Sequence, residues 1–402
     1  MTLTAPISAR PAVVTDPVRV MVVDDSVVIR GLIGRWVDED AALGVVASHR
    51  NGRLAVEDIE RSNPDVVILD IEMPDMDGLT ALPLMLKKKP GLVVIMASTL
   101  TRRNAEISLK ALSLGAADYI PKPESNSGIT TSVDFRRELI DKVRNLGQRA
   151  RMRSGRQPMA PSSPAASPSR GAPATTPARP FTATQPAGTG MASGSLHGGP
   201  FRLRSFSPIA PKVLAIGSST GGPQALAMLF ESIAPAIGMV PVLLTQHMPP
   251  TFTAILAEHI AKTTGRRAAE AQHGEVLQPG HIYVAPGGKH LLVTKRNGQP
   301  TAELDNGPPV NFCKPAVDPM FNSISSVYGA GVLGVVLTGM GADGAKGAVT
   351  IADAGGNIIA QDEATSVVWG MPGATAQSGA CAAVLPLPEI GPKIRRILGG
   401  ER

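Results

Sequence analysis

The sequence is poor in cysteine, in aromatic residues and in long apolar runs, and each shortage excludes a class of protein. Its 402 residues include two cysteines, Cys313 and Cys381, which are too few for a disulfide framework or a zinc site. Aromatic residues make up 3% of the chain and hydrophobic residues 43%, so aliphatic side chains must form the core. No apolar run has the length of a bilayer span, and the N-terminus lacks a signal-peptide pattern. We therefore expect a cytoplasmic protein without membrane insertion.

Acidic residues are absent from residues 151–208, a stretch that holds seven arginines. The seven positive charges of this stretch exceed the net charge of +6, so the rest of the chain has no excess of positive charge. The basic character therefore belongs to this stretch and not to a folded surface. Its composition of Pro, Ala, Ser, Gly and Thr cannot bury enough apolar area to order the chain, and it predicts a disordered linker over residues 147–208. The linker would join folded domains at residues 18–146 and 209–400, with a disordered tail at residues 1–17.

The first domain alternates five short apolar stretches with amphipathic ones, as expected for a doubly wound parallel sheet flanked by helices. Function is expected at the carboxyl ends of such strands. Polar residues follow four of the five predicted strands: Asp24, Asp25, Asp70, Ser98 and Lys122. Three carboxylates at one sheet edge repel one another unless a divalent cation lies among them, and an all-oxygen site suits Mg²⁺. Solvated strand-end acids are the alternative interpretation.

The same residues stand in a recognisable pattern: Asp24-Asp25, Leu69-Asp70-Ile71-Glu72-Met73-Pro74, Ser98 and Lys122-Pro123. This pattern resembles the receiver domain of response regulators, a flavodoxin-like fold. The resemblance implies that Asp70 accepts phosphate from a histidine kinase and that Asp25, with Asp24 and Asp70, holds the Mg²⁺ needed for this step. It further implies that Ser98 and Lys122 contact the phosphate and that Tyr119 is the aromatic switch residue.

In the second domain, the stretch Lys212–Gly222 contains a predicted buried strand followed directly by a helical pattern. Between them, Gly217-Ser218-Ser219-Thr220-Gly221 has the G-x-S-x-G spacing of a nucleophile elbow. Such a turn would place Ser219 at the sheet edge beside a helix N-terminus, where developing negative charge is favoured. A phosphate-binding glycine loop and an ordinary strand–helix turn remain alternatives.

Two further predicted strands end at His247 and just before Asp343. If these strands lie parallel to the one before Ser219, the three residues share one edge as nucleophile, base and orienting carboxylate. His247 as a structural histidine and Asp343 as a helix cap are the alternatives. A dinucleotide site would need an acid at the tip of the second strand, and this chain has Gln246-His247 there, which favours acyl chemistry.

Three motifs of the second domain resemble the catalytic domain of the chemotaxis protein-glutamate methylesterase family: residues 217–222, 246–249 and 337–344. The resemblance implies a Rossmann-like serine hydrolase that removes methyl esters from glutamates, and deamidates glutamines, on chemoreceptor cytoplasmic helices. It assigns the triad to Ser219, His247 and Asp343, an assisting role to Thr220 and an oxyanion-binding amide to Met340. We expect no cofactor for the esterase and a monomeric protein that phosphorylation activates.

Two other functions compete with this interpretation. A DNA-binding response regulator would need a helix-turn-helix with a basic recognition helix after the linker, whereas residues 211–402 read as αβ structure. A non-catalytic domain that only docks on receptors would keep the fold but not the reactive serine. We therefore expect no DNA partner.

Overall fold

The computed structural model describes residues 16–122, 129–153 and 201–400. The predicted tail, up to residue 15, and the central part of the predicted linker, residues 154–200, lie outside the described residues. Two parallel sheets flanked by helices form the two domains, which confirms the α/β prediction. Within the described ranges, no helix has both the length and the apolar character needed to cross a membrane.

The first domain is a five-stranded parallel sheet with the strand order β2-β1-β3-β4-β5, the flavodoxin-like order. Four of its strands are almost completely buried, because helices cover both faces of the sheet, and the edge strand Leu43–His49 is only half-buried. The elements are β1 Val18–Val23, α1 Val27–Asp38, β2 Leu43–His49, α2 Gly52–Ser62, β3 Val66–Asp70, α3 Gly78–Lys88, β4 Val93–Ser98, α4 Arg102–Ser113, β5 Asp118–Pro121 and α5 Ile129–Arg153.

The second domain contains a seven-stranded parallel sheet and a separate two-stranded hairpin. Strand Ile282–Val284 belongs to the main sheet, where it pairs with strand Val242–Gln246, whereas His290–Arg296 pairs with Gln299–Asp305 in the hairpin. The elements are β6 Val213–Ser218, α6 Gly222–Ile233, β7 Val242–Gln246, α7 Phe252–Thr264, β8 Ala268–Glu270, β9 Ile282–Val284, β10 His290–Arg296, β11 Gln299–Asp305, α8 Val317–Tyr328, β12 Val332–Val336, α9 Ala345–Asp353, β13 Asn357–Gln361, α10 Met371–Gln377, β14 Ala383–Leu385 and α11 Leu387–Leu398.

The strand order of the second sheet, β14-β13-β12-β6-β7-β9-β8, changes direction at β6. From β6 the chain continues to β7 on one side, and it later returns through β12 on the other side. In doubly wound sheets, the crevice at the carboxyl ends of such strands is the usual binding site. The fold therefore opens a crevice at the ends of β6, β7 and β12.

Structured residues extend into both ends of the stretch predicted as a linker. Helix α5 continues through Arg153, and Gly147 lets it lie against the sheet, where a Cβ atom would lie 2.3 Å from Val18 Cγ1. At the other end, Arg204 forms an ion pair with Asp353 of the second domain at 2.8 Å.

The two domains pack against each other through α4 and β5 of the first and α6 and α7 of the second. The Tyr119 ring stacks on the Phe252 ring with a centroid distance of 4.6 Å and an angle of 9° between the planes. Arg102 forms an ion pair with Glu258 at 2.7 Å, at the exposed rim of the interface. Buried apolar residues of both domains belong to one contiguous cluster across this interface.

We predict opposite effects for two glycine-to-alanine changes in the first domain. Gly78→Ala should destabilise the domain by about 1–3 kcal/mol, because the new Cβ would lie 2.1 Å from the Asp70 carbonyl oxygen. Gly34→Ala, inside α1 with no neighbouring atom within 4 Å, should stabilise it by about 0.4–1 kcal/mol. Thermal unfolding followed by circular dichroism measures both changes. Equal unfolding temperatures for the two variants would contradict the tight contact at Gly78.

Candidate active site

Ser219 lies directly after β6, at the switch point of the second sheet. Its backbone N–H donates to the Thr338 carbonyl at 3.0 Å, which ties the turn to the loop after β12. The strained elbow suggested by the G-x-S-x-G spacing is not formed, because Ser219 is not among the residues with positive φ. The left-handed position falls on Gly221 instead, with φ of 73°, and the chain enters α6 there.

Gln246 connects this turn to β7, and the sequence offered no role for it. Its buried side-chain amide donates to the Ser219 carbonyl at 2.9 Å, and its Oε1 accepts from the Ser218 hydroxyl at 2.7 Å. A Cβ atom on residue 222 would lie 2.0 Å from Gln246 Oε1, which explains the glycine there. The side chain thereby sets the position of Ser219 relative to the end of β7, where His247 follows.

His247 and Asp343 form a close pair in the crevice. His247 Nε2 lies 2.7 Å from Asp343 Oδ2, and the two side chains are 11% and 2% exposed. The Val317 amide donates to the same carboxylate oxygen at 2.6 Å and the Gly344 amide donates to Oδ1 at 3.0 Å, so the carboxylate has a fixed orientation. Asp343 thus holds Nε2, and Cys313 also contacts the imidazole.

The charges of this pair are set by burial and by close partners. Burial acts to raise the pKa of Asp343, but hydrogen bonds from His247 and from backbone amides lower it below its usual value. Burial acts to lower the pKa of His247, but the adjacent Cys313 and Asp343 outweigh burial and raise this pKa to about 10. Within the described residues, no hydrogen bond joins the Ser219 hydroxyl to His247. A base must be neutral to accept the serine proton, so the raised pKa of His247 lowers the fraction of this residue that can act as the base.

The loop after β12 supplies the other wall of the crevice. A Cβ atom on Gly339 would lie 2.8 Å from Ser219 Cβ, so only glycine permits this approach. The approach places the backbone of Met340 next to the serine, where its amide is predicted to bind an oxyanion. Thr220 is buried, and its carbonyl accepts from the Thr338 hydroxyl at 2.9 Å.

The first domain gathers its acidic residues at one sheet edge. Oxygens of Asp24, Asp25 and Asp70 all lie within 4.8 Å of one another. Lys122 Nζ lies 2.6 Å from Asp24 Oδ2 and 2.8 Å from Asp70 Oδ1. Burial, together with the charge of Asp24, raises the pKa of Asp70 to about 6 against the opposing effect of Lys122. A set of three hard carboxylate oxygens next to an open cavity of about 460 Å³ fits Mg²⁺.

Ser98 and Tyr119 have partners other than the acidic cluster. The Ser98 hydroxyl lies 3.0 Å from the Ser108 hydroxyl, in the interior of the domain. The Tyr119 ring lies in the interface with the second domain, on Phe252. Within the described residues, neither side chain forms a hydrogen bond with Asp70.

Helix α5 of the first domain runs across the crevice of the second. The Arg137 guanidinium lies 4.1 Å from the centroid of the Phe312 ring, beside Cys313. Asn145 Nδ2 lies 3.2 Å from Met340 Sδ, and Arg149 donates to the Glu363 carbonyl at 2.7 Å. The helix thus contacts both walls of the crevice that contains Ser219.

Comparisons with known proteins agree with both domains. A family model described as CheB methylesterase matches residues 214–394, and one described as response regulator receiver domain matches residues 20–134. The protein-glutamate methylesterase/protein-glutamine glutaminase of group 2 operon from Bradyrhizobium diazoefficiens is 56% identical over 388 residues, which cover 96% of this chain and 95% of the relative. The chain belongs to the protein-glutamate methylesterase/protein-glutamine glutaminase family.

Two more relatives show how sequence identity and coverage vary among similar proteins. The group 2 operon member of this family from Rhodopseudomonas palustris is 56% identical and covers 96% of each chain. The catalytic domain of Thermotoga maritima CheB methylesterase, a crystal structure, is 39% identical, covers 47% of this chain and 100% of that chain, and has a TM-score of 0.45. Sequence reasoning predicted a triad of Ser219, His247 and Asp343. It missed the contacts of Gln246, Phe252 and Cys313, whose neighbours are distant in sequence.

We predict that a fluorophosphonate probe labels Ser219 and that labelling depends on the His247–Asp343 pair. Ser219→Ala should abolish labelling, and His247→Ala and Asp343→Ala should each slow it by about 1,000-fold or more, because the hydroxyl loses its base. The His247→Ala/Asp343→Ala double variant should be little slower than either single variant. His273→Ala, in an exposed histidine outside the crevice, is the control. Labelling of His247→Ala at the wild-type rate would exclude the triad.

Proposed function

We propose that Ser219, His247 and Asp343 hydrolyse glutamate methyl esters, and deamidate glutamines, on the cytoplasmic helices of chemoreceptors. By its family, the chain is a protein-glutamate methylesterase and protein-glutamine glutaminase under the control of a receiver domain. The observation that carries the assignment of residues is the His247–Asp343 pair beside Ser219 at the switch point of the sheet. Since the proposed substrates are cytoplasmic helices, we propose that the protein acts in the cytoplasm.

The proposed reaction follows from the arrangement of donors and acceptors. Neutral His247 accepts the Ser219 proton at Nδ1, since Asp343 holds Nε2, and the serine oxygen attacks the ester carbonyl. The Met340 amide and the N-terminus of α6 stabilise the oxyanion. His247 then donates its proton to the leaving methanol, or to ammonia when the substrate is glutamine. A water molecule, deprotonated by His247, releases the glutamate carboxylate and restores the Ser219 hydroxyl.

The proposed control acts through the docked receiver domain. Helix α5 crosses the crevice, so a receptor helix, which is a bulky substrate, cannot reach Ser219 in this arrangement. We propose that Asp70 accepts phosphate from a histidine kinase, with Asp24, Asp25 and Asp70 as ligands of Mg²⁺. The metal ion would neutralise charge on the transferred phosphoryl group.

Phosphate on Asp70 would give the Ser98 hydroxyl a stronger acceptor than Ser108. Ser98 and the adjoining end of β4 would then move toward Asp70. This movement would leave space next to β5 into which the Tyr119 ring can turn, away from Phe252. Loss of this stacked pair would weaken docking and open the crevice. A change in the undocked population from about 10% to about 90% requires only ~2.6 kcal/mol.

DNA binding is the less favoured alternative. It would require a helix-turn-helix after the linker, and residues 213–398 instead form the second αβ domain. We propose that the partners are chemoreceptors as substrates and a histidine kinase as phosphodonor, that the esterase needs no cofactor, and that the protein acts as a monomer.

Methanol release from membranes that carry methylated chemoreceptors tests the proposed activity. The wild-type protein should release methanol slowly alone, and about ninefold faster with a small phosphodonor and Mg²⁺, because phosphorylation raises the undocked population from about 10% to about 90%. Asp70→Asn should stay at the basal rate under both conditions. Ser219→Ala should release none. Methanol release by Ser219→Ala, or full stimulation of Asp70→Asn, would contradict the proposal.

Reversal of one charge in the interface tests the proposed inhibition. Arg102→Glu should raise basal methanol release by about twofold to fivefold, because the new carboxylate repels Glu258 of the second domain and disfavours docking. The double variant Arg102→Glu/Glu258→Arg should return toward the wild-type rate. Arg267→Glu is the matched control, since Arg267 is 62% exposed, like Arg102 at 61%, but pairs with Glu275 inside the second domain. Equal basal rates for Arg102→Glu and wild type at low salt would exclude a role for this contact.

A further inference from the structure

A second buried carboxylate lies next to Asp343. Asp318, in the first turn of α8, is 4% exposed, and its Oδ1 accepts from the Gly347 amide at 2.7 Å. Its backbone amide donates to Asp343 Oδ1 at 3.1 Å, so the two acids are in direct contact. Burial, together with the charge of Asp343, raises the pKa of Asp318. Two neighbouring carboxylates disfavour each other's ionisation unless a shared donor lies between them.

Asn311 supplies that shared donor. Its Nδ2 donates to Asp343 Oδ1 at 3.1 Å and to Asp318 Oδ2 at 3.2 Å. A side-chain amide has two N–H groups on Nδ2, one for each carboxylate. Asn311 is therefore the only side chain in the described part of the chain that donates hydrogen bonds to both acids.

The backbone around Asn311 is built to present this amide. Val310 and Cys313 exchange two backbone hydrogen bonds, at 2.9 and 3.1 Å, which close a two-residue turn. Both central residues have positive φ, 51° for Asn311 and 64° for Phe312, as in a type I′ turn. Asparagine tolerates this conformation better than most residues do.

We propose that Asn311 is a positioning residue of the esterase, whose side-chain amide holds the Asp343 carboxylate toward His247 and separates it from Asp318. The proposal rests on the proposed function only in taking Ser219, His247 and Asp343 as the reacting unit. In the part of the chain that the structure describes, no hydrogen bond joins Asn311 to Ser219. Asn311 therefore acts through Asp343. Loss of the amide lets the two carboxylates repel each other, and the orientation of His247 changes with that of Asp343.

Several charged or titratable groups surround the amide, and they set the expected pH dependence. They are Asp318 and Asp343 on the carboxylate side, His247 and Cys313 beside Asp343, Lys314 of the same segment, His290 under Ala316, and Arg137 of the receiver on Phe312. An additional carboxylate at position 311 stabilises the protonated form of His247. The neutral base then becomes available only at higher pH, so the acid limb of the rate profile moves upward.

The experiment measures the rate of fluorophosphonate labelling of Ser219 in the full-length protein between about pH 6 and pH 11, a range that includes the raised pKa of His247. Asn311→Gly keeps the left-handed turn without strain and removes the amide. It should lower the labelling rate at saturating probe by about 10- to 100-fold, the effect of losing a hydrogen bond to a charged group, with little change in the half-saturating concentration. Asn311→Asp should move the acid limb upward by about 1 pH unit or more.

Asn297 provides the matched control. It has the same φ of 51°, in the turn between β10 and β11. Asn297→Gly and Asn297→Asp should leave the labelling rate and its pH profile unchanged, and equal unfolding temperatures for the paired variants exclude a purely structural effect. Wild-type rate and profile in both Asn311 variants would overturn the inference. Failure of the triad itself would appear separately, as wild-type labelling of His247→Ala.

Discussion

The crevice depends on three strand ends that approach more closely than side chains would allow. Glycine at position 339 lets the loop after β12 touch Ser219, and glycine at position 222 leaves space for the Gln246 side chain. Gln246 in turn links the nucleophile to the strand that ends at His247. The spacing between serine and histidine is therefore a property of backbone contacts and one buried amide, which makes it insensitive to movements of the exposed loops.

Contacts of the receiver and of the catalytic pair meet at this crevice. Helix α5 contacts Phe312 and Met340, so the receiver lies over the crevice that contains Ser219. Inside the crevice, Cys313 and Asp343 outweigh burial and raise the pKa of His247, which disfavours the neutral form that can accept the serine proton. The turn that carries Phe312 also carries Cys313, and through Asn311 it touches Asp343. One short segment, residues 311–313, thus contacts the receiver, Asp343 and His247.

Much of this architecture could be predicted because strand periodicity and strand-end residues are local signals. The apolar runs before Asp70 and Ser219 gave both sheets, and the rule that parallel strands end at one edge brought His247 and Asp343 together. The full length of α5 could not be predicted, since its polar last turns are held by contacts with Asp16 and Glu363. The position of the Tyr119 ring on Phe252 depends on the packing of the two domains, which has no local signature in the sequence.

The Tyr119–Phe252 stack has a consequence for the substrate as well as for the phosphate. In the proposed control, one equilibrium between docked and separated domains governs both the accessibility of Ser219 and the position of Tyr119. If phosphorylation favours separation, thermodynamic reciprocity requires that a receptor helix bound in the crevice favours the phosphorylated receiver by the same factor. A receptor with many methylated sites would then act as an effector of its own demethylation, and it would retain the enzyme in the active state where ester is abundant.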